Sequence, residues 1–582
     1  MNRRGGTIVG ETVDLILRGG TIVDGSGGDP YEGDVAISDG KIVAVGAVGG
    51  RGREEIDARS NLVTPGFVDI HTHYDGHATW ATRLQPSAAH GVTTVVMGNC
   101  GVGFAPCRPA DHASLVRLME GVEDIPGVVL NEGLPWSWET FPEYLEYLAG
   151  RQYDIDIAAQ LPHAPLRVYV MGQRAIDREA ATDDDIAQMA KLAEEAMRAG
   201  AIGFSSSRSI NHRASDGNPI PSVTAAEHEL TGIACGLKSA GSGVVQLISD
   251  FSDEAGEFGL VRKIVEASGR PLSMSLLQLH NAPERWKTLL KWIDEANDAG
   301  IAIKAQVCAR PVCVLMGLEL SYNPFTFCPS YQPIRWLPLA ERVALLRQPD
   351  MRARLISEFP APTVEGIGPA LANLSRMFPL GDPPNYEPTA DQSIAAEAAR
   401  RGVPAVEYAY DHLLEREGKT VLYAPAANYA YGNIDAALEM VTHNNTVLGL
   451  GDGGAHCGLI CDASMTTHML SHWARGRHNG ALPLPSVVRS LTSTTACTVG
   501  LADRGLIAEG YRADVNIIDF DRLALHMPEM VYDLPSGGGR LHQRADGYVA
   551  TIVNGQVTYR DGVATGNLPG RLVRGPQVRP SR

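Results

Sequence analysis

The residues in this chain best suited to do chemistry are two histidines one position apart, in Gly66-Phe67-Val68-Asp69-Ile70-His71-Thr72-His73. Residues 67–70 have the apolar character of a buried strand, and alternate residues on a strand face the same side. Both imidazoles therefore aim at one point, and imidazole nitrogen is a neutral ligand for zinc and similar ions. Alone, such a pair is equally compatible with two polar residues in a turn. Two other segments bear on it. Met97-Gly98-Asn99-Cys100-Gly101 follows the next strand and sets an unhindered cysteine, a candidate thiolate ligand, among glycines. Gly451-Asp452-Gly453-Gly454-Ala455-His456 follows the last strand, where Asp452 could bind a metal-bound water and take its proton. Read singly, these are a small buried thiol and a glycine-rich turn.

Side chains so far apart in the chain need a scaffold that returns to one place. Strand-like and helix-like segments alternate, which is the pattern of a parallel sheet or barrel. Strands are expected at 67–70, 93–97, 155–161, 202–205, 244–248, 272–276, 301–307 and 446–450. The clearest helix is 183–199, with Thr182 as its cap, Asp183, Asp184 and Asp185 at its positive end, and Gly200 as its stop. The fold expected is α/β, a (β/α)8 barrel of the TIM type over residues 65–502, with a long insertion around 311–426 between the seventh and eighth strands. Long loops on that face commonly act as lids or substrate walls. The two ends of the chain read as short strands and tight turns, with Asp39-Gly40 and Asn554-Gly555 as hairpin signals. Residues 1–64 and 503–582 are expected to pair as one small β-sandwich domain, since neither has enough strands to stand alone.

With 582 residues, 44% hydrophobic and 20% charged, the chain has the composition of a large globular enzyme. A formal net charge of −17, spread along the chain and without a Lys/Arg run, argues against a nucleic-acid partner. No apolar run is long enough to span a membrane, and no apolar segment follows Arg3 and Arg4 as a secretory signal requires. Nine cysteines, an odd number without regular spacing, read as reduced thiols in a cytoplasm. Homo-oligomerisation stays open.

The Pro65-to-His73 segment, the Gly-Asn-Cys-Gly segment, Asp452 and the closing stretch from Arg504-Gly505-Leu506 to Ala513-Asp514 together resemble the amidohydrolase superfamily. The resemblance is narrower still to the D-aminoacylase-like group, the N-acyl-D-amino-acid deacylases, and spans nearly the whole chain. It implies a metal-dependent hydrolase, one or two divalent ions per chain and usually zinc, that activates water against the C–N bond of a small amide substrate. It places His71, His73 and Asp452 in one metal site, Cys100 in the neighbouring one, and makes Asp452 the catalytic base. The group usually carries a histidine at the end of strand five and another at the end of strand six. Here those places fall on Ile248 or Asp250 and on Leu276, with His280 one turn on. Either Asp250 and His280 stand in through shifted loops, or the site near Cys100 is weakened and a single metal remains. The group's lysine for the substrate carboxylate falls on Gln278, which puts an N-acyl-D-amino-acid substrate in doubt. His163, Ser207, Asp250 and His456 are candidates for lining the substrate pocket. Two rival readings are a cyclic amidase or deaminase of the same superfamily, and a metal-poor barrel that only binds.

Overall fold

The computed structural model describes residues 12–360, 368–477 and 479–581; Arg3 and Arg4 lie outside them. Eight parallel strands form one sheet in sequential order: β1 (Phe67–Asp69), β2 (Val92–Met97), β3 (Asp156–Pro162), β4 (Gly203–Arg208), β5 (Val244–Ser249), β6 (Leu272–Ser275), β7 (Ile303–Val307) and β8 (Thr446–Leu448). Every residue of β2 and β3 is buried, as expected of strands covered on both faces. Between β1 and β8 the ladder closes only past the strand ends. There the His73 amide donates to the Gly453 carbonyl at 2.8 Å, and the Asp452 amide donates to the His71 carbonyl at 3.0 Å. The seam of the barrel is thus stitched by the residues that carry its candidate chemistry.

Two helices show why the sequence folds as it does. α1 (His112–Glu123) follows β2, and it ends where Asp124 turns left-handed, with φ 50°. α2 (Asp183–Ala199) has the expected bounds. The Thr182 hydroxyl accepts from the Asp185 amide, and Ile186, Met189, Ala193, Ala196 and Met197 form the buried stripe. Gly200, at φ 115°, terminates it in a conformation that a side chain would strain.

The two chain ends share a single nine-stranded sheet. Leu62–Pro65 pairs antiparallel with Val515–Ile518, which joins the N-terminal strands to the C-terminal ones. Asp39-Gly40 and Asn554-Gly555 both adopt positive φ, the geometry that a two-residue hairpin requires. This sheet is riveted to the amino-terminal end of the barrel. Arg504 Nη1 donates to Asp156 Oδ2 and to Thr94 Oγ1, both at 2.8 Å, and Arg512 Nη2 donates to Asp156 Oδ1 at 2.9 Å.

The insertion between β7 and β8 builds a core of its own around Met316, Phe325, Tyr331, Leu355, Met377 and Leu413. Its outgoing and returning arms pair as antiparallel strands, Cys313–Met316 with Leu422–Pro425. It is tied to the barrel face where the Ser321 hydroxyl meets the Asp124 carboxylate at 2.9 Å. Among the described residues no helix is long and apolar enough to cross a membrane, and all nine cysteines are free thiols.

Candidate metal centre and active site

His71 and His73 leave the end of β1 into a site where each is only 1% exposed. His71 Nδ1 lies 2.7 Å from Gln306 Oε1, and the Gln306 amide in turn donates to Ser273 Oγ at 2.9 Å. With a carbonyl oxygen as its partner, Nδ1 carries the hydrogen, so the bare Nε2 faces inward. That nitrogen lies 3.3 Å from Cys100 Sγ and 3.4 Å from Asp452 Oδ1. His73 Nε2 lies 3.6 Å from the same Asp452 oxygen. Among the described residues His71, His73 and Cys100 form a group whose ligand atoms all lie within 4.8 Å of one another.

The backbone is bent to make this possible. Cys100, Leu450, Asp452 and His456 have φ of 56°, 62°, 49° and 52°, the left-handed region that non-glycine residues rarely occupy. Gly451 between them has no alternative, since a Cβ there would run into the Asp69 carboxylate. Cys100 is further held by its amide, which donates to Gln246 Oε1 at 3.0 Å.

The charged groups of the site act on one another. Burial would raise the Asp452 carboxyl, but the facing His73 and His71 imidazoles outweigh it and hold the group below the usual carboxylate range. Burial likewise would lower His73, yet the charges of Glu123, Asp452 and Cys100 raise it well above an ordinary histidine. Burial pushes the Cys100 thiol up to about 12 despite His73. Asp452 Oδ1 and His73 Nδ1 are buried without a hydrogen-bond partner. Two imidazoles, a thiol and an ionised carboxylate, crowded together with the Cys100 thiol against His71 Nε2 at 3.3 Å, suit a divalent cation with nitrogen, sulfur and oxygen ligands.

The family model for the amidohydrolase family matches residues 54–559. The chain belongs to the amidohydrolase family. This amidohydrolase is 26% identical over 563 residues to the D-aminoacylase of Alcaligenes xylosoxydans xylosoxydans, covering 96% of this chain and 97% of the relative. It is 24% identical over 573 residues to the N-acyl-D-glutamate deacylase of the same organism, covering 97% of each chain. Among solved structures, a D-aminoacylase superposes with a TM-score of 0.63 at 23% identity, over 97% of this chain and 100% of the other. An N-acyl-D-glutamate deacylase from Bordetella bronchiseptica, complexed with zinc and a phosphonate inhibitor, gives 0.64 at 22% over the same shares. At those identities the superpositions bear on the fold. The amidohydrolase is thus D-aminoacylase-like, an enzyme acting on non-peptide C–N bonds.

The structure does not bring every expected residue of the amidohydrolase to this centre. His280 stands outside the ligand group: its ring nitrogens face the Pro425 carbonyl at 2.9 Å and Arg376 at 2.8 Å, at the root of the insertion. Asp250 spends its carboxylate on the loop after β4, accepting from Ser209 Oγ and from the Ile210 amide, both at 2.7 Å. His163 is fully buried, with Ser206 Oγ at 2.8 Å on one nitrogen and Glu229 at 3.1 Å on the other, so neither is free for a substrate carbonyl. Ser207 does approach the site, through His212 Nδ1 at 2.9 Å.

Three residues near the centre carry no signal in the sequence, and a fourth, His212, reads there only as a loop residue. Gln246, not Ile248 or Asp250, is the β5 side chain that reaches Cys100. It shares its strand parity with Ile248, so the period-2 rule fixed the face but not the depth. Gln306 orients His71 from β7. His212 is lowered to about 3 by burial and by the charges of His73 and His456, which places it among the site's imidazoles. Glu123 comes from the end of α1, with Oε1 3.4 Å from His73 Nδ1 and Oε2 3.6 Å from His456 Nε2. Glutamines and a helix-end glutamate carry no metal-ligand signature, and only His212 could have been picked out by residue type.

Proposed function

We propose that this amidohydrolase hydrolyses the amide bond of a small N-acyl compound, with water as the nucleophile, at a centre formed by His71, His73, Cys100 and Asp452. The observation that carries the reading is the buried group of His71, His73 and Cys100 with the Asp452 oxygen against both imidazoles. His71, His73 and Cys100 would hold a single divalent cation, zinc by the softness of the donors, with Asp452 beside it. Such a cation, when bound, makes water acidic and polarises a carbonyl. Asp452, kept ionised by its neighbours, accepts the proton of the attacking water and returns it to the departing nitrogen. Gln306 keeps His71 Nε2 turned inward. His456, lowered to about 4 chiefly by burial, is a neutral imidazole at neutral pH, with Nε2 turned to Glu123 Oε2 at 3.6 Å.

The relatives named D-aminoacylase and N-acyl-D-glutamate deacylase make an N-acylated D-amino acid the first substrate class to test. Gln278 does not supply a grip on its carboxylate. Its Oε1 accepts from the Ala430 amide at 3.0 Å, and its backbone amide is held by Asn428 Oδ1 at 2.8 Å. With Gln278 so occupied and uncharged, an N-acyl amine without a free α-carboxylate is the second substrate class to test.

The test joins elemental analysis of the purified protein to an amine-release screen over N-acyl-D-amino acids, their amides and simple N-acyl amines. One metal per chain, lost in Cys100→Ala, with activity in the screen, supports the reading. Near two metals per chain would require ligands outside this set. A protein without metal and without activity would leave a barrel that only binds.

A further inference from the structure

Glu123 is a buried charged side chain that the proposed chemistry leaves without a task. It is 2% exposed and closes α1, where an acid opposes the helix dipole. No lysine or arginine pairs with it among the described residues; its two oxygens instead face two imidazoles from opposite sides of the barrel seam. Oε1 is 3.4 Å from Nδ1 of His73, which follows β1, and that nitrogen has no hydrogen-bond partner. Oε2 is 3.6 Å from Nε2 of His456, in the loop after β8.

The backbone around Glu123 denies it the freedom to swing away. The Glu123 carbonyl accepts from the His456 amide, and the Asp124 carbonyl accepts from the Cys457 amide at 3.1 Å. Asp124 in turn takes the Gly458 amide at 3.0 Å and the Ser321 hydroxyl at 2.9 Å, so the helix end is fixed to the β8 loop and to the insertion. A buried acid with no cationic side chain, set against a ligand's outer nitrogen, matches the outer partner that orients a metal-binding imidazole.

We propose that Glu123 is a positioning residue for His73. It holds the hydrogen on Nδ1 and so presents Nε2 inward, and by engaging His456 with its other oxygen it sets the β1 ligand and the β8 loop as one unit. The inference rests on the reading of His71, His73 and Cys100 as a metal centre, but part of its test does not.

The experiment compares the full-length protein with Glu123→Gln, Glu123→Ala and, as a control that loosens the helix end without touching an imidazole, Asp124→Ala. Two quantities are read: zinc affinity by chelator competition, and the ring-nitrogen resonances of His73 in the metal-free protein, assigned by their absence in His73→Gln. Glu123→Ala should weaken zinc binding about 10- to 100-fold and shift the His73 Nδ1 resonance; Glu123→Gln, which retains an acceptor, should do less of both. Asp124→Ala should leave the Nδ1 resonance in place. Unchanged His73 resonances together with zinc affinity within twofold of wild type, in folded Glu123→Ala, would overturn the proposal. If Glu123→Ala does not fold, the His73 resonances of Glu123→Gln decide it. A wild-type protein that binds no zinc refutes the metal reading, whereas the metal-free resonances still judge Glu123.

Discussion

Replacing Asp452 with Asn nearly preserves the side chain's volume, removes its charge and takes away its ability to accept a proton. In the structure the Asp452 oxygen sits 3.4 Å from His71 and 3.6 Å from His73. At such separations an effective dielectric near 20 gives an attraction of about 5 kcal/mol to an imidazolium or a singly charged cation, much of which offsets the desolvation of the carboxylate itself. The Asn variant should therefore keep most of its metal, because His71, His73 and Cys100 remain. Turnover is a different matter. A positioned general base contributes about 10²- to 10⁴-fold, or roughly 3–5 kcal/mol of barrier. The assay is amine release from the best substrate of the screen, with elemental analysis on the same preparation. The expected result is a fall in kcat of about two to four decades with near-wild-type metal and little change in KM. A kcat within tenfold of wild type at equal metal content would refute the assignment of Asp452 as base. So would activity that is lost with the metal and fully restored by saturating zinc, which would make Asp452 a ligand and nothing more.

Three further outcomes test the scaffold. Arg504→Met removes one of the two arginines on the buried Asp156 carboxylate, with Arg512 left on it, and should lower stability by about 2 kcal/mol; a thermal midpoint equal to wild type would contradict the role of Arg504 as a rivet. His90 and His77 are buried neutral imidazoles lowered to about 3, chiefly by desolvation. The unfolded chain therefore binds more protons than the folded one below about pH 6.5, and stability should drop as pH falls from 7 towards 3. By pH 5 the loss is about 2 kcal/mol for each histidine, and His90→Gln should flatten the slope of the thermal midpoint against pH. Thr182→Ala removes the hydroxyl that accepts from the Asp185 amide and should cost about 1 kcal/mol, read as a lower midpoint in chemical unfolding.

Much of the architecture was legible because it is written in local patterns. The eight strand segments are short apolar runs, the caps of α2 are Thr182 and Gly200, and the turns at Asp39-Gly40 and Asn554-Gly555 demand positive φ. Strand order follows from the short crossovers of a βα repeat. The convergence of His71, His73 and Asp452 was likewise legible, since each sits at the carboxyl end of a strand, where a barrel gathers its loops.

What the chain alone could not decide was depth and direction. Strand periodicity put Gln246 and Ile248 on one face, but only the stagger of the closed barrel determined that Gln246 touches Cys100. His280 looked like a ligand by residue type and lies instead against the Pro425 carbonyl, because the paired arms of the insertion bring residue 425 beside it. Glu123 and Gln306 are ordinary side chains in a helix and a strand, and they acquire their place from contacts 50 and 235 residues away from His73 and His71. The amino-acid sequence by itself determined which elements form and which side chains stand at the strand ends. The tertiary structure decided which of those residues meet, because the closure of the β1–β8 seam through Asp452 and Gly453 brings the two ends of the barrel's chain together.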